Sequence, residues 1–388
     1  MIGSTFKSET RTYRDEKTGV AVRRLTSGGN NFHMYFTENS FLQSSREIIF
    51  FSDRGAPAAG HYNLFHMNLE TGAITQLTDE AEPLSNKATK SKCGHYAYYV
   101  VGNTIKKLDT QTLEAEVIFE SGPGLEIGML SLSADGRRLG FARNETVDID
   151  RGPNYGGFLD NMFAVKKSVL TVLDIEDKTA CDVFSDTHWL GHFQFAPDDA
   201  AVGMFCHEGP WNLVQQRIWI FDFIAREARP CFRQGKDDCV GHEFWTRDGR
   251  IFFDNRGKGH DGTITSGKTQ AYAQPDETQT PYVGLADRKG RILRTVEMPF
   301  YCNHYHSGKD ADILVGDAAE DLCLISIAGE RARMRTLCYH GTSWYTQNSH
   351  CHPTFDWDGR QVLFESDRGG RLNLYLVDTD EIKREMMP

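Results

Sequence analysis

Residues 357–380 read WDGRQVLFESDRGGRLNLYLVDTD: an Asp-Gly turn, an apolar run from Gln361, a second turn at Arg368-Gly369-Gly370, and an alternating run from Leu372 that ends on aspartate. β-Branched and aromatic residues alternating with polar ones between turns of this kind spell two short antiparallel strands. The pattern recurs. REIIFFSDRG starts at Arg46, ADGRRLGFAR at Ala134, PDDAAVGMFC at Pro197, RDGRIFFDNRG at Arg247 and KDADILVGDA at Lys309, with a weaker copy, KCGHYAYYVVG, at Lys92. Second strands such as HYNLFHMNLETG, SVLTVLDIEDK and RIWIFDFIARE follow most copies. Copies begin about 40 to 60 residues apart, the period of propeller blades. Seven copies predict a seven-bladed all-β propeller, residues 1–388 forming one domain; the competing layout is a pair of β-sandwiches.

The last copy stops one strand short of a blade, while TGVAVRRLTSG near the start resembles TGAITQLTD, which completes the first copy. Residues near 18–27 are therefore expected to pair with the last blade and close the ring, removing an exposed sheet edge.

Composition narrows the function classes. The chain has 388 residues and a net charge of −11, which disfavours sequence-blind nucleic-acid binding and attachment to anionic lipid. Its first residues lack the apolar core of a signal peptide, and no run approaches the length of a membrane span. Nine cysteines without CxxC spacing point to reduced thiols and a cytoplasmic location. Nothing in the sequence speaks to oligomeric state.

The repeat register collects histidines. His192, His242, His304 and His352 each stand six residues before a turn aspartate, Asp198, Asp248, Asp310 and Asp358. Equivalent positions face equivalent directions around a propeller axis, so the four are expected at one mouth of the channel. His350 adds an imidazole two residues before His352, on the same side of an extended chain, with Cys351 turned into the core. Clustered imidazoles with a neutral oxygen donor suit manganese, iron or zinc. His207, in FCHEGPW, and Arg217 lie on the blade-four hairpin; beside a metal, Arg217 could clamp a carboxylate.

Several long segments, WLGHFQFAPDD, FCHEGPWNLVQQRIW, GHEFWTRDG, CNHYHSGKDADILVGD and HGTSWYTQNSHCHPTFDWDGRQVLFESD, resemble the oligogalacturonate lyases. The resemblance is clear over residues 185–380 and extends to the N-terminal third as repeat pattern. It implies β-elimination of short oligogalacturonides, such as unsaturated digalacturonate, in pectin degradation, with a divalent ion, typically manganese. By matching motif it makes His304, Gln347, His350 and His352 the metal ligands, His242 the base and Arg217 the active-site arginine. His192 and His207 are candidates for sugar contacts or leaving-group protonation. Two departures bear on substrate identity: residues 31–36 match the family only loosely, and Trp211 stands where the family often has histidine. The alternatives are a lyase for another uronide, a metal-dependent hydrolase, and a non-catalytic binding propeller.

Overall fold

The computed structural model describes residues 1–263 and 280–386. Seven antiparallel sheets of four or five strands follow one another along the chain. Blade 1 runs from its inner strand Asn31–His33 through Glu47–Ser52 and Asn63–Asn68 to Ile74–Gln76. Blades 2 to 6 take the strands between residues 84–120, 125–186, 190–230, 240–297 and 305–339. Blade 7 has Thr354–Phe355 innermost, then Gln361–Ser366 and Asn373–Asp378. The seven quoted copies thus fall one per blade.

Ring closure follows the expected route and goes further. Strand Ala21–Arg24 pairs with Asn373–Asp378 in blade 7, with Val22 opposite Val377. Arg11–Arg14 adds a fifth strand outside it, and Thr5–Phe6 extends blade 1 by pairing with Ile74 and Thr75. The N-terminal segment therefore edges both sheets at the seam. Apolar faces meet between blades: Phe364, Val377 and Val22 of blade 7 pack with Val315 and Leu324 of blade 6, and Leu363 and Leu374 pack with Phe50 and Phe65 of blade 1. Each such fully buried side chain contributes about 1.5–3 kcal/mol. No helix among the described residues is long and apolar enough to cross a membrane.

Two irregularities shape one mouth of the ring. The inner strands of blades 4 and 5 slip register between Gly191 and Gln194 and between Gly241 and Phe244. At these bulges His192 and His242 take left-handed backbone, φ 48° and 47°, and His352 does the same at 42°. That conformation costs an L-residue about 1–2 kcal/mol, so the surrounding sheet must enforce it. The common sequence phase of these three residues is thus a common backbone turn. His304 reaches the same mouth without the left-handed turn. The second irregularity is an insertion in blade 3, residues 146–167, which carries the helix Phe158–Ala164 and folds across this mouth.

Candidate active site

At the mouth lies a cavity of about 570 Å³, whose lining includes Tyr35, His192, Arg217, His242, His304 and Gln347. The His304 ring centroid is 4.8 Å from that of His242, 4.3 Å from that of His352 and 5.4 Å from that of His350. One ring nitrogen each from His304, His350 and His352 falls within 4.8 Å of the others, and all three residues are buried. Tyr35, from blade 1, completes the ring of aromatics, 5.4 Å from His192 and 5.1 Å from His352.

Carboxylates on the neighbouring strands hold these rings. Asp317 Oδ2 lies 3.1 Å from His304 Nδ1, and its other oxygen accepts from the His304 backbone N–H. Glu365 Oε1 lies 3.0 Å from His352 Nδ1, while Oε2 accepts from the His33 backbone N–H at 2.8 Å. Such partners fix the proton on Nδ1 and turn the Nε2 lone pair toward the shared centre. His350 differs: Asn303 Nδ2 is 3.3 Å from its Nδ1, and its Nε2 faces Asn154 Oδ1 at 3.0 Å. Burial holds all three imidazoles well below their ordinary pKa, and neighbouring histidines push them further down. Burial also drives the carboxyls up, Asp317 to about 7 and Glu365 well above its usual range. Neutral imidazoles converging in front of two buried carboxylates fit a divalent cation, which supplies the charge those carboxylates lack.

Among the described residues two other clusters have metal-like spacing. His192, Cys206 and Glu243 already enclose the Arg217 guanidinium. Asp186, His188 and His207 lie outside the cavity lining, and His188 is exposed. His207 therefore sits apart from the other expected site residues: its Nε2 is 3.1 Å from Asp186 and its ring stacks on His188 at 4.2 Å. The structure leaves it behind the wall.

Beside the histidine centre is a layer of buried charge. Arg217, only 2% exposed, donates from Nε to Glu243 at 3.0 Å and from Nη1 to Glu208 at 3.1 Å. His192 lies between the same two carboxylates, 3.4 Å from each. Burial opposes its charge, but Glu208 and Glu243 outweigh burial and raise its pKa. His242 is driven the other way, well below its ordinary value, by burial and by the guanidinium groups of Arg256 and Arg217. Its Nδ1 accepts from Arg256 Nη2 at 3.3 Å and lies at the same distance from Asp254 Oδ1; the tautomer with its proton on Nδ1, facing that carboxylate, is the one that frees Nε2 as a base. Trp211 fills the space between the guanidiniums, 4.6 Å from Arg256 and 5.6 Å from Arg217, edge-on to His242 at 4.9 Å. It fits there because residue 241 is glycine: a Cβ would stand 1.9 Å from the indole.

Gln347, exposed on the segment that leads into blade 7, turns its amide nitrogen to Asn154. Cys351 is fully buried in the core between blades 6 and 7. Sequence reasoning missed Asp254, Asp317 and Glu365, Glu208 and Glu243, Arg256, and the blade-3 insertion. A signal existed for three of them: an acid stands 12 or 13 residues after His242, His304 and His352, which is the length of one hairpin back to the same level.

Ring and mouth together define a propeller enzyme with a metal-fitting histidine centre. A family model described as oligogalacturonate lyase matches residues 2–382. The oligogalacturonide lyase of Pectobacterium atrosepticum is 26% identical over 389 aligned residues, covering 94% of this chain and 95% of that one. Two solved structures superpose over nearly their whole length. An oligogalacturonate lyase in complex with manganese gives a TM-score of 0.84 at 24% identity, covering 97% of this chain and 98% of that one. Another from Vibrio parahaemolyticus gives 0.83 at 25%, covering 98% and 100%. The chain belongs to the oligogalacturonate lyase family and is a lyase.

Proposed function

We propose that this mouth cleaves short oligogalacturonides by β-elimination with a divalent ion, manganese first among candidates, held by His304, Gln347, His350 and His352. The observation that carries the reading is the convergence of three neutral, buried imidazoles from blades 6 and 7 beside a fourth, His242. β-Elimination of a uronide removes the C5 proton next to a carboxylate and expels the C4 oxygen. An ion bound there supplies positive charge that neutralises the carboxylate and stabilises the developing enolate.

The chain's own residues do the rest. His242, kept neutral by burial and by Arg256, accepts the C5 proton through Nε2 when its own proton sits on Nδ1 facing Asp254. His192 is the complementary group, its charged form favoured by Glu208 and Glu243; environments that push two titrating groups apart separate base from acid. It lies on the cavity wall where positive charge favours the departing oxygen. Arg217 is saturated by two carboxylates, so it acts by orienting them and by keeping His242 neutral. Nine cysteines, none in a disulfide, support a reducing, cytoplasmic location.

The test is incubation of the purified protein with unsaturated digalacturonate and manganese, with a chelated control. Metal-dependent loss of ultraviolet absorbance as unsaturated sugar rearranges to keto sugar is expected. Saturated galacturonate as the product would identify a hydrolase. Turnover of unsaturated diglucuronate but not digalacturonate would keep the chemistry and change the sugar.

A further inference from the structure

The strands of the propeller position the histidines, and the blade-3 insertion, residues 146–167, brings a polar side chain to them as well. Asn154 Oδ1 lies 3.0 Å from His350 Nε2. The Gln347 amide nitrogen donates to the same oxygen at 3.1 Å and to the Asn154 carbonyl at 3.2 Å. Asn154 Nδ2 in turn donates to the Trp344 carbonyl at 2.7 Å. One side chain thus ties together three residues of the segment leading into blade 7, about 190 positions away in sequence.

The local backbone is built to deliver it. Asn154 is left-handed, φ 57°, between Gly152 at 47° and Gly157 at 68°; asparagine tolerates this region better than other residues with a Cβ. Tyr155 follows, packing on Ala319 and Trp344 with its ring 5.7 Å from His350. The turn is clamped on one side by aromatic packing and on the other by the Asn154 bonds.

We propose that Asn154 is a further residue of the metal centre: its amide oxygen, which meets His350 and Gln347, becomes a ligand when the ion binds. The inference rests on the metal reading of the histidine cluster. Its chemistry is that of the donor set. Three imidazoles and one amide oxygen leave a manganese-type ion, which takes about six donors, short of oxygen ligands. Asn154 Oδ1 is a neutral oxygen at hydrogen-bond distance from a proposed ligand nitrogen, and moving onto the ion replaces one bond with another. The Gln347 orientation agrees, since its nitrogen is spent on Asn154 and its Oε1 is the atom left for the ion. On this account the insertion and blade 7 are joined by the ion, and blade 3 contributes to a site otherwise drawn from blades 6 and 7.

The test is calorimetric titration of manganese into the full chain, its N154A variant and its N154D variant, with melting curves for each before metal is added. N154A should bind manganese at least tenfold more weakly than wild type. N154D should bind as tightly as wild type or tighter, because a carboxylate oxygen then faces a dication, even though it has lost the donor to Trp344. A purely structural Asn154 predicts the reverse for N154D, which would be as weak as N154A. That result, or N154A within threefold of wild type, overturns the assignment. Wild-type protein that takes up no manganese overturns both this assignment and the metal reading; metal uptake abolished by His350→Ala but unchanged in N154A overturns this one alone.

Discussion

Replacing Asp317 with asparagine separates the metal centre from the fold that carries it. Asp317 takes two bonds from one residue: the His304 backbone N–H and His304 Nδ1–H. Asparagine has one oxygen and can keep only one of them. If it keeps the backbone bond, its NH₂ faces Nδ1, and the imidazole proton is driven to Nε2, the nitrogen needed for the ion. Partners of this kind are worth about 10–100-fold in metal affinity, or roughly 1.4–2.7 kcal/mol. Stability should move the other way. The Asp317 carboxyl is raised to about 7 from an ordinary value near ~3.9, so the folded ion-free protein holds this proton more tightly than the unfolded chain. The associated stability is complete below pH ~4 and is lost as pH rises toward 7. Asparagine carries no such loss, so ion-free Asp317→Asn should melt no lower than wild type at pH 8. Calorimetric manganese titration beside melting curves in chelator reads both quantities. Manganese affinity within threefold of wild type would refute the orienting role of Asp317.

Three further expectations follow from the geometry. His242→Ala should lower kcat by about 10²–10⁴ while bound manganese, measured by elemental analysis, stays equimolar; retained activity removes His242 as the base. Gly241→Ala forces a methyl group against the Trp211 indole and should cost about 1–3 kcal/mol in denaturant unfolding, an unchanged midpoint showing that the indole is free to move. Acid should destabilise the ion-free protein. Among the described residues nine histidines, seven buried and His260 and His306 half-buried, have lowered pKa values, including His33, His207, His260 and His340 at about 4, against five carboxyls that are raised. Histidines depressed in the folded state stabilise above the unfolded pKa near ~6.5 and lose that contribution as pH falls toward 4. Melting temperature in chelator should therefore drop across that window, and a flat profile would contradict the burial of these rings.

The ring was legible in the sequence because every blade repeats one local pattern, a turn and two alternating strands, whose spacing survives divergence at individual positions. Four histidines were legible for the same reason, since a fixed offset from the turn aspartate becomes a fixed direction in the ring. What opposes them was harder to see. Asp317 ends the second strand of blade 6 and Glu365 stands one residue from the end of that of blade 7, where an acid reads as ordinary punctuation until strand register places it against an imidazole. Arg256 sits in FFDNRG, a near copy of the FFSDRG turn of blade 1, and was indistinguishable from a surface turn. Arg217 was expected to be free for a substrate carboxylate; Glu243, directly after His242, and Glu208 occupy it. The blade-3 insertion breaks the repeat, so no register could align Asn154 with the segment it touches.

The seam of the ring sets a timetable for making the protein. Val22 meets Val377 about 350 residues later, so the Ala21–Arg24 strand, paired on one edge with Arg11–Arg14, keeps its other edge open until the blade-7 strands emerge. At about 5–20 residues per second, that wait lasts roughly 20–70 seconds. During it, blades 1 to 6 can stack in order while one edge of the Arg11–Arg14/Ala21–Arg24 hairpin stays open, a sticky edge of the kind that recruits other chains. His352 lies in the blade that closes last, so the histidine cluster is assembled by the same event that ends this exposure. On the proposed metal reading, uptake of the ion therefore follows closure of the ring.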